Sequence, residues 1–194
     1  NLQKINTSLD SIFMLNISIK TLIEQHNSMH FYDKSIVNNC NINKIINNVC
    51  DDVNAISNKV YGKNIKFKIL SDTIINTTYI SYHIYYIVNE IIKNAAVSHF
   101  INNIDKPIEL NIFKGKEDII IKISDYGKGF VRSEYDKLFT YSYSTYKDKI
   151  TDEYEILNIP IMTGFGFGLP LSRIYSRYYG GELCINPIEN IGTD

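Results

Sequence analysis

Tryptophan is absent from this chain and cysteine nearly so, with three residues at positions 40, 50 and 184. An odd number of thiols without a CxxC spacing argues against a disulfide framework and against a zinc site. It leaves buried or idle thiols, as in a reducing compartment. The four histidines, His26, His30, His83 and His99, are scattered and build no metal cluster. The formal net charge is −1, which gives neither the basic footprint of a nucleic-acid binder nor a membrane-hugging cationic surface. No apolar run approaches the roughly 20 residues of a membrane-spanning helix. Internal repeats and low-complexity blocks are also missing.

What is present is an ordinary globular balance, 44% hydrophobic and 21% charged, in a length that suits one substantial α/β domain. The abundance of Asn, Ile, Tyr and Lys reads as base-composition bias. Leu9, Ile12, Phe13, Ile19, Leu22 and Ile23 recur at helical spacing and predict a helix over about 5–29. A polar stretch over 33–41 breaks it. Ile42, Ile45, Ile46, Val49, Val53, Ile56 and Val60 predict a second helix that Gly62 ends. Ile65, Phe67 and Ile69 alternate with lysines as a half-buried strand does. Ile80, Ile84, Ile87, Val88, Ile91, Ile92 and Ala95 give a third helix with a broad apolar face. Two strands, Ile108/Leu110/Ile112 and Ile119/Ile121/Ile123, flank a Gly115-Lys116-Glu117 turn and predict a hairpin. Residues 130–163 are polar and tyrosine-rich, with a short helix near Glu134–Leu138; a weakly patterned stretch of that length is usually a lid or disordered. A helix over Leu169–Tyr179 and a strand over Glu182–Asn186 complete a two-layer α/β sandwich, its mixed sheet covered on one face by helices.

Three short patterns carry the chemistry. Glu90 and Asn94 lie four apart in the third helix and project from one face. An amide oxygen is a hard metal ligand and a carboxylate can accept a proton, although a solvated helix face looks the same. Asp125-Tyr126-Gly127-Lys128-Gly129 follows an apolar strand. The Asp can accept a hydrogen bond from a base's amino group, and the glycines let the backbone pass close to a ligand; a plain surface turn is the alternative. Gly164-Phe165-Gly166-Phe167-Gly168-Leu169-Pro170 opens a helix, with Pro170 suited to its first position. The free amides of a helix start favour phosphate oxygens.

In this order, and with a lid-length gap before the third, the patterns resemble the N, G1 and G2 boxes of the GHKL superfamily. That superfamily groups sensor histidine kinases, type II topoisomerases, chaperone and mismatch-repair ATPases, and the 2-oxoacid dehydrogenase kinases. The last branch is the most similar: Leu9-Asp10, Ile17-Ser18-Ile19-Lys20, Leu22 to His26, Asn39-Cys40-Asn41, Tyr143-Ser144-Thr145, Gly164 to Arg173, Gly180-Gly181 and Gly192-Thr193-Asp194 all resemble the pyruvate and branched-chain 2-oxoacid dehydrogenase kinases. The resemblance implies a GHKL (Bergerat-type) ATP-binding fold over 40–194, with an ATP lid about 130–168. It implies that residues 1–33 are the last helix of an N-terminal helical bundle, the family's final strand and tail lying outside the chain. The Trp-bearing anchor of that tail is therefore not here.

The resemblance further implies an ATP- and Mg²⁺-dependent serine kinase acting on the E1 subunit of such a complex. The lipoyl domain of E2 would be the anchor, the full-length protein a homodimer, and the mitochondrial matrix (or another organelle housing the complex) the location. Glu90 would be the general base, with His26 orienting it. Asn94 would hold the metal, and Lys93 would lie near the phosphates. Asp125 would fix adenine, with Gly127, Gly129 and Thr193 around the nucleoside. Ser144 and Thr145 would contact ATP from the lid, and Gly164, Phe165, Gly166, Phe167, Gly168 and Leu169 would lie over the phosphates.

Two positions depart from the family: Tyr86 stands where it often has a histidine, and Val97 where it usually has an arginine. They keep open a nucleotide-binding module without transfer activity. A sensor histidine kinase fits less well, because those proteins usually carry Asn at the position of Glu90 and His26 lacks the phosphoacceptor context. A clamp ATPase fits less well because Ala95-Ala96-Val97-Ser98 offers no Asp.

Overall fold

The computed structural model describes residues 2–71, 73–141, 143 and 166–194. Helix α1 (Leu2–Tyr32) is followed by strand β1 (Val37–Asn41), helix α2 (Ile42–Tyr61) and strands β2 (Phe67–Leu70) and β3 (Asn76–Ile80). Helix α3 (Ser81–Ile101), the hairpin β4 (Ile108–Lys114) and β5 (Ile119–Ser124), and a 3-10 helix (Arg132–Lys137) come next. Helix α4 (Gly168–Tyr178) and the short strands β6 (Pro187–Ile188) and β7 (Gly192–Thr193) complete it.

The main sheet is mixed, in the order β2-β4-β5, with β2 parallel to β4 and β4 antiparallel to β5. Its alternate residues Ile108, Leu110, Ile112 and Ile123 are buried against Ile46, Val49, Val53, Val88, Ile92 and Ala96 of α2 and α3. This is the α/β layering the periodicities predict. Helix α2 has clear start and stop signals. The Asn41 side chain accepts from the Lys44 amide at 2.8 Å, and Gly62, at φ 66°, donates its N–H to Asn58 O at 3.0 Å. A second cluster joins Ile17 of α1, Ile174 and Tyr175 of α4, and Tyr141, with Phe13, Tyr86, Ile87 and Phe167 packed against it.

Several expectations need correction. Strands β1 and β3 form an antiparallel pair that polarity concealed: three of the five β1 residues are asparagine, and only Cys40 is buried there. The predicted strand over Glu182–Asn186 is irregular up to its last residue. The Leu183 amide is spent on the Glu182 side chain at 3.0 Å, and pairing begins only where Asn186 and Asp194 exchange backbone bonds. Pro170 is the third residue of α4 rather than the first. The first four amides of a helix have no partner within it, so the ring is tolerated there too.

Candidate functional site

Strand β5 ends at Ser124, and the next residue, Asp125, bridges to Thr193 of β7. The Asp125 N–H donates to Thr193 O at 2.9 Å and the Thr193 N–H to Asp125 O at 3.3 Å. The Asp125 carboxylate accepts the Gly127 N–H at 2.7 Å and a bond from the Thr193 hydroxyl. Burial nonetheless dominates and pushes its pKa up to about 6, outweighing those two bonds. A carboxylate kept from water on a cavity wall is an acceptor suited to an N–H donor of a ligand.

The glycines are there because side chains would not fit. A Cβ on Gly127 would overlap Ser98 Oγ of α3, and one on Gly129 (φ 60°) would strike the carbonyls of Ile188 and Gly192. The turn after β5 is thus wedged between the last turns of α3 and the β6–β7 hairpin. Gly168, the first residue of α4, lies against the third helix: a Cβ there would sit 2.5 Å from Glu90 Oε2. The other Glu90 oxygen pairs with Lys93 Nζ at 2.5 Å, both side chains being 13% exposed.

These elements enclose a cavity of about 850 Å³, a size that suits a drug-sized ligand. Asn94 and Ser98 of α3 line it, with Asp125, Gly129, Thr193, and Gly166, Gly168 and Leu169 at the start of α4. Three segments that the sequence separates by tens of residues therefore share one wall. Glu90 stands beside that wall, behind Gly168, rather than on it. Lys93, expected near phosphates, is occupied by Glu90. Gly127 supports the wall from behind through Ser98. Phe167 turns away from the cavity into the aromatic cluster, with ring centroids 6.2 Å from Phe13 and 5.8 Å from Tyr141. Ser144, Thr145, Gly164 and Phe165 lie outside the described residues.

Among the described candidates, His26 lies farthest from this arrangement. Its ring is exposed and stacks on His30 at 5.9 Å. Helix α1 runs antiparallel to α3: Lys20 Nζ sits over the Tyr82 ring at 4.5 Å, while Phe13 meets Phe167, the neighbour of Gly168 beside Glu90. His26 is thirteen residues along α1 from Phe13, about 20 Å at 1.5 Å per residue, on the side away from Glu90. It does not orient that carboxylate. Besides Lys93, Tyr86 lies near Glu90, and its hydroxyl is held protonated by burial and then by the Glu90 charge. Ser98, His99 and the β6–β7 turn also build the site, and no motif pointed to them. A helical serine or histidine has no signature until the turn it touches is known.

Comparison with known proteins places this geometry. Residues 80–194, from the start of α3 through β7, match the family described as histidine kinase-, DNA gyrase B-, and HSP90-like ATPase. The chain belongs to that family. Membership implies ATP as the ligand of the fold. The chain is also 32% identical over 208 residues to the mitochondrial [pyruvate dehydrogenase (acetyl-transferring)] kinase of Arabidopsis thaliana, a match covering 100% of the chain and 57% of the relative. The Schizosaccharomyces pombe protein of the same name is 33% identical over 204 residues, covering 96% of the chain and 48% of the relative. Isozyme 4 of Homo sapiens is 32% identical over 211 residues, covering 99% and 50%. The chain thus spans about half the length of these curated relatives.

Proposed function

We propose that this chain is the ATP-binding and catalytic part of a protein serine kinase that acts on the E1 subunit of a 2-oxoacid dehydrogenase complex. The observation that carries the reading is the approach of Gly168 to Glu90, which sets a carboxylate beside the helix start where phosphates bind best. Asp125 reads the adenine amino group, with Gly127, Gly129 and Thr193 around the nucleoside. Gly164, Gly166, Gly168 and Leu169 take the phosphates, and Ser144 and Thr145 approach from the lid. Glu90 accepts the proton of the substrate serine hydroxyl as its oxygen attacks the terminal phosphorus, and ADP leaves. Little covalent help is needed; position and charge compensation supply most of the rate.

Magnesium fits the donor set. Asn94 offers a hard amide oxygen on the cavity wall, and among the described residues no group of three or more His, Cys, Asp or Glu could hold a metal by itself. Such an ion would take its remaining ligands from phosphate oxygens and water, and would supply charge compensation. Residues 1–33 are proposed as the last helix of a helical bundle. The relatives' names support a mitochondrial location, in the matrix if the substrate is the complex itself. An E2 lipoyl anchor and a homodimer would belong to the full-length protein. Among the described residues no helix is long and apolar enough to cross a membrane.

The test is phosphorylation of a purified pyruvate or branched-chain E1 subunit. Glu90→Gln should lower transfer at least about 100-fold while ATP still binds. Transfer at the wild-type rate would remove Glu90 as the base. A second reading, binding without transfer, draws on the Glu90–Lys93 ion pair, which occupies the base. ATP binding with no phosphoserine on either E1 would favour it, and acid-labile phosphohistidine on the chain itself would favour a sensor-kinase chemistry.

A further inference from the structure

His99 lies in the last turn of α3 and is 3% exposed. Its Nε2 accepts the Tyr126 N–H at 3.0 Å. Its side chain also bonds the backbone of Lys106, so with Nε2 accepting, Nδ1–H is the donor to the Lys106 carbonyl. Lys106 in turn reaches over the Tyr126 ring at 4.7 Å. The Tyr126 N–H and the Asp125 carbonyl belong to one peptide unit. Thr193 bonds its oxygen and His99 its N–H, so the plane cannot turn about its own axis. That plane sets the direction in which the Asp125 side chain leaves the backbone. The Gly127 amide then holds the carboxylate from the other side.

We propose that His99 is the positioning residue of this turn, its imidazole fixing the peptide that aims the Asp125 carboxylate at the ligand's base. This rests on the ATP reading of the cavity. A neutral histidine is suited to the task because one rigid ring offers a donor and an acceptor at opposite ends. Burial lowers the His99 pKa and so preserves the acceptor; a protonated ring would turn an N–H toward the Tyr126 N–H. An apolar residue at this position would leave both main-chain groups without their partner.

The experiment titrates the whole chain with ATP and with inosine triphosphate, which carries a carbonyl where adenine has its amino group. Wild type should prefer ATP. In His99→Leu, checked for folding by circular dichroism, ATP affinity should fall about tenfold and the preference should collapse. In His99→Gln, whose amide supplies both a donor and an acceptor, the preference should stay within about threefold of wild type. A merely structural histidine would lower the melting temperature of both variants and leave the ATP preference intact, and that result overturns the proposal. A wild type that does not distinguish the two nucleotides removes the adenine role of Asp125, and the proposal with it. Should His99→Leu fail to fold, the His99 nitrogen resonances of the wild type decide. An unprotonated Nε2 is expected, and a protonated one overturns the assignment.

Discussion

The two hydrophobic clusters among the described residues are built from different materials. Between the sheet and helices α2 and α3 the packing is almost wholly aliphatic, and Ile46, Val49, Val53, Ile92, Ile108 and Leu110 are all 0% exposed. Between α1, α3 and α4 it is aromatic and partly polar: Phe13, Tyr86, Tyr141, Phe167 and Tyr175 crowd around Ile17 and Ile174. His83 sits within a ring of Tyr79, Tyr82, Tyr175, Tyr178 and Tyr179. Its Nδ1 and the Ser172 hydroxyl are buried without a hydrogen-bond partner among the described residues. The first cluster carries Asn94 and Asp125, the fixed wall of the cavity. The second carries Phe167, and through it the position of Gly168 against Glu90. The lesson is that the Asp125 side of the cavity stands on an aliphatic core in which α2 buries one unpartnered hydroxyl, that of Ser57, while the Gly168 side stands on an aromatic core that buries both the His83 and the Ser172 group unpartnered among the described residues.

That contrast can be broken by measurement. Leu110→Ala, at the centre of the aliphatic cluster, should cost about 2–5 kcal/mol in urea unfolding. A cost under about 1 kcal/mol would mean that this core is no firmer than the other. A pH series sharpens the opposite side. Burial, aided by the Lys20 charge, pushes the His83 pKa down to about 4 from an ordinary 6.5. The unfolded chain therefore takes up the proton first, and stability present above about 6.5 is lost as pH falls toward 4, by up to about 3 kcal/mol. His83→Phe should be flatter over that window, and an unchanged acid slope would remove His83 as the cause. The smallest effect concerns the Tyr141 hydroxyl, which donates to Asp10 at 2.5 Å and ties α1 to the chain beside α4. Tyr141→Phe should cost about 1 kcal/mol and leave the ring packing intact. A loss as large as that of Leu110→Ala would reverse the ranking of the clusters.

Much of this could be read from side-chain spacing. Helices α2 and α3 announce themselves because their apolar residues keep one period for five turns, and β4 and β5 because isoleucines alternate around a glycine turn. Asp125 and the glycines were legible because few residues suit an abrupt turn at a strand end. What stayed hidden depends on partners far away in sequence. Strand β1 is mostly asparagine and takes its order from β3. Leu183 and Ile185 alternate as a strand would, yet Glu182 turns back to Arg173 and Arg177 and draws the adjoining amide with it. The expectation for His26 rests on the family resemblance, and periodicity offers no check on it, since it gives a helix's buried face and not the direction in which the helix crosses its neighbour. The Tyr86 position makes sense only in three dimensions, as one more ring in the aromatic cluster.

The β7 contact bears on synthesis. Thr193 is bonded to Asp125 at main chain and side chain alike, and Gly192 fits only because it has no side chain to strike the Asp125 carbonyl. A nascent chain that has emerged from the ribosome only as far as α4 already holds most of its core, but its Asp125 has no strand beside it. The strand that completes the Asp125 side of the cavity is therefore among the last parts of this chain to be made, well after the core that supports it.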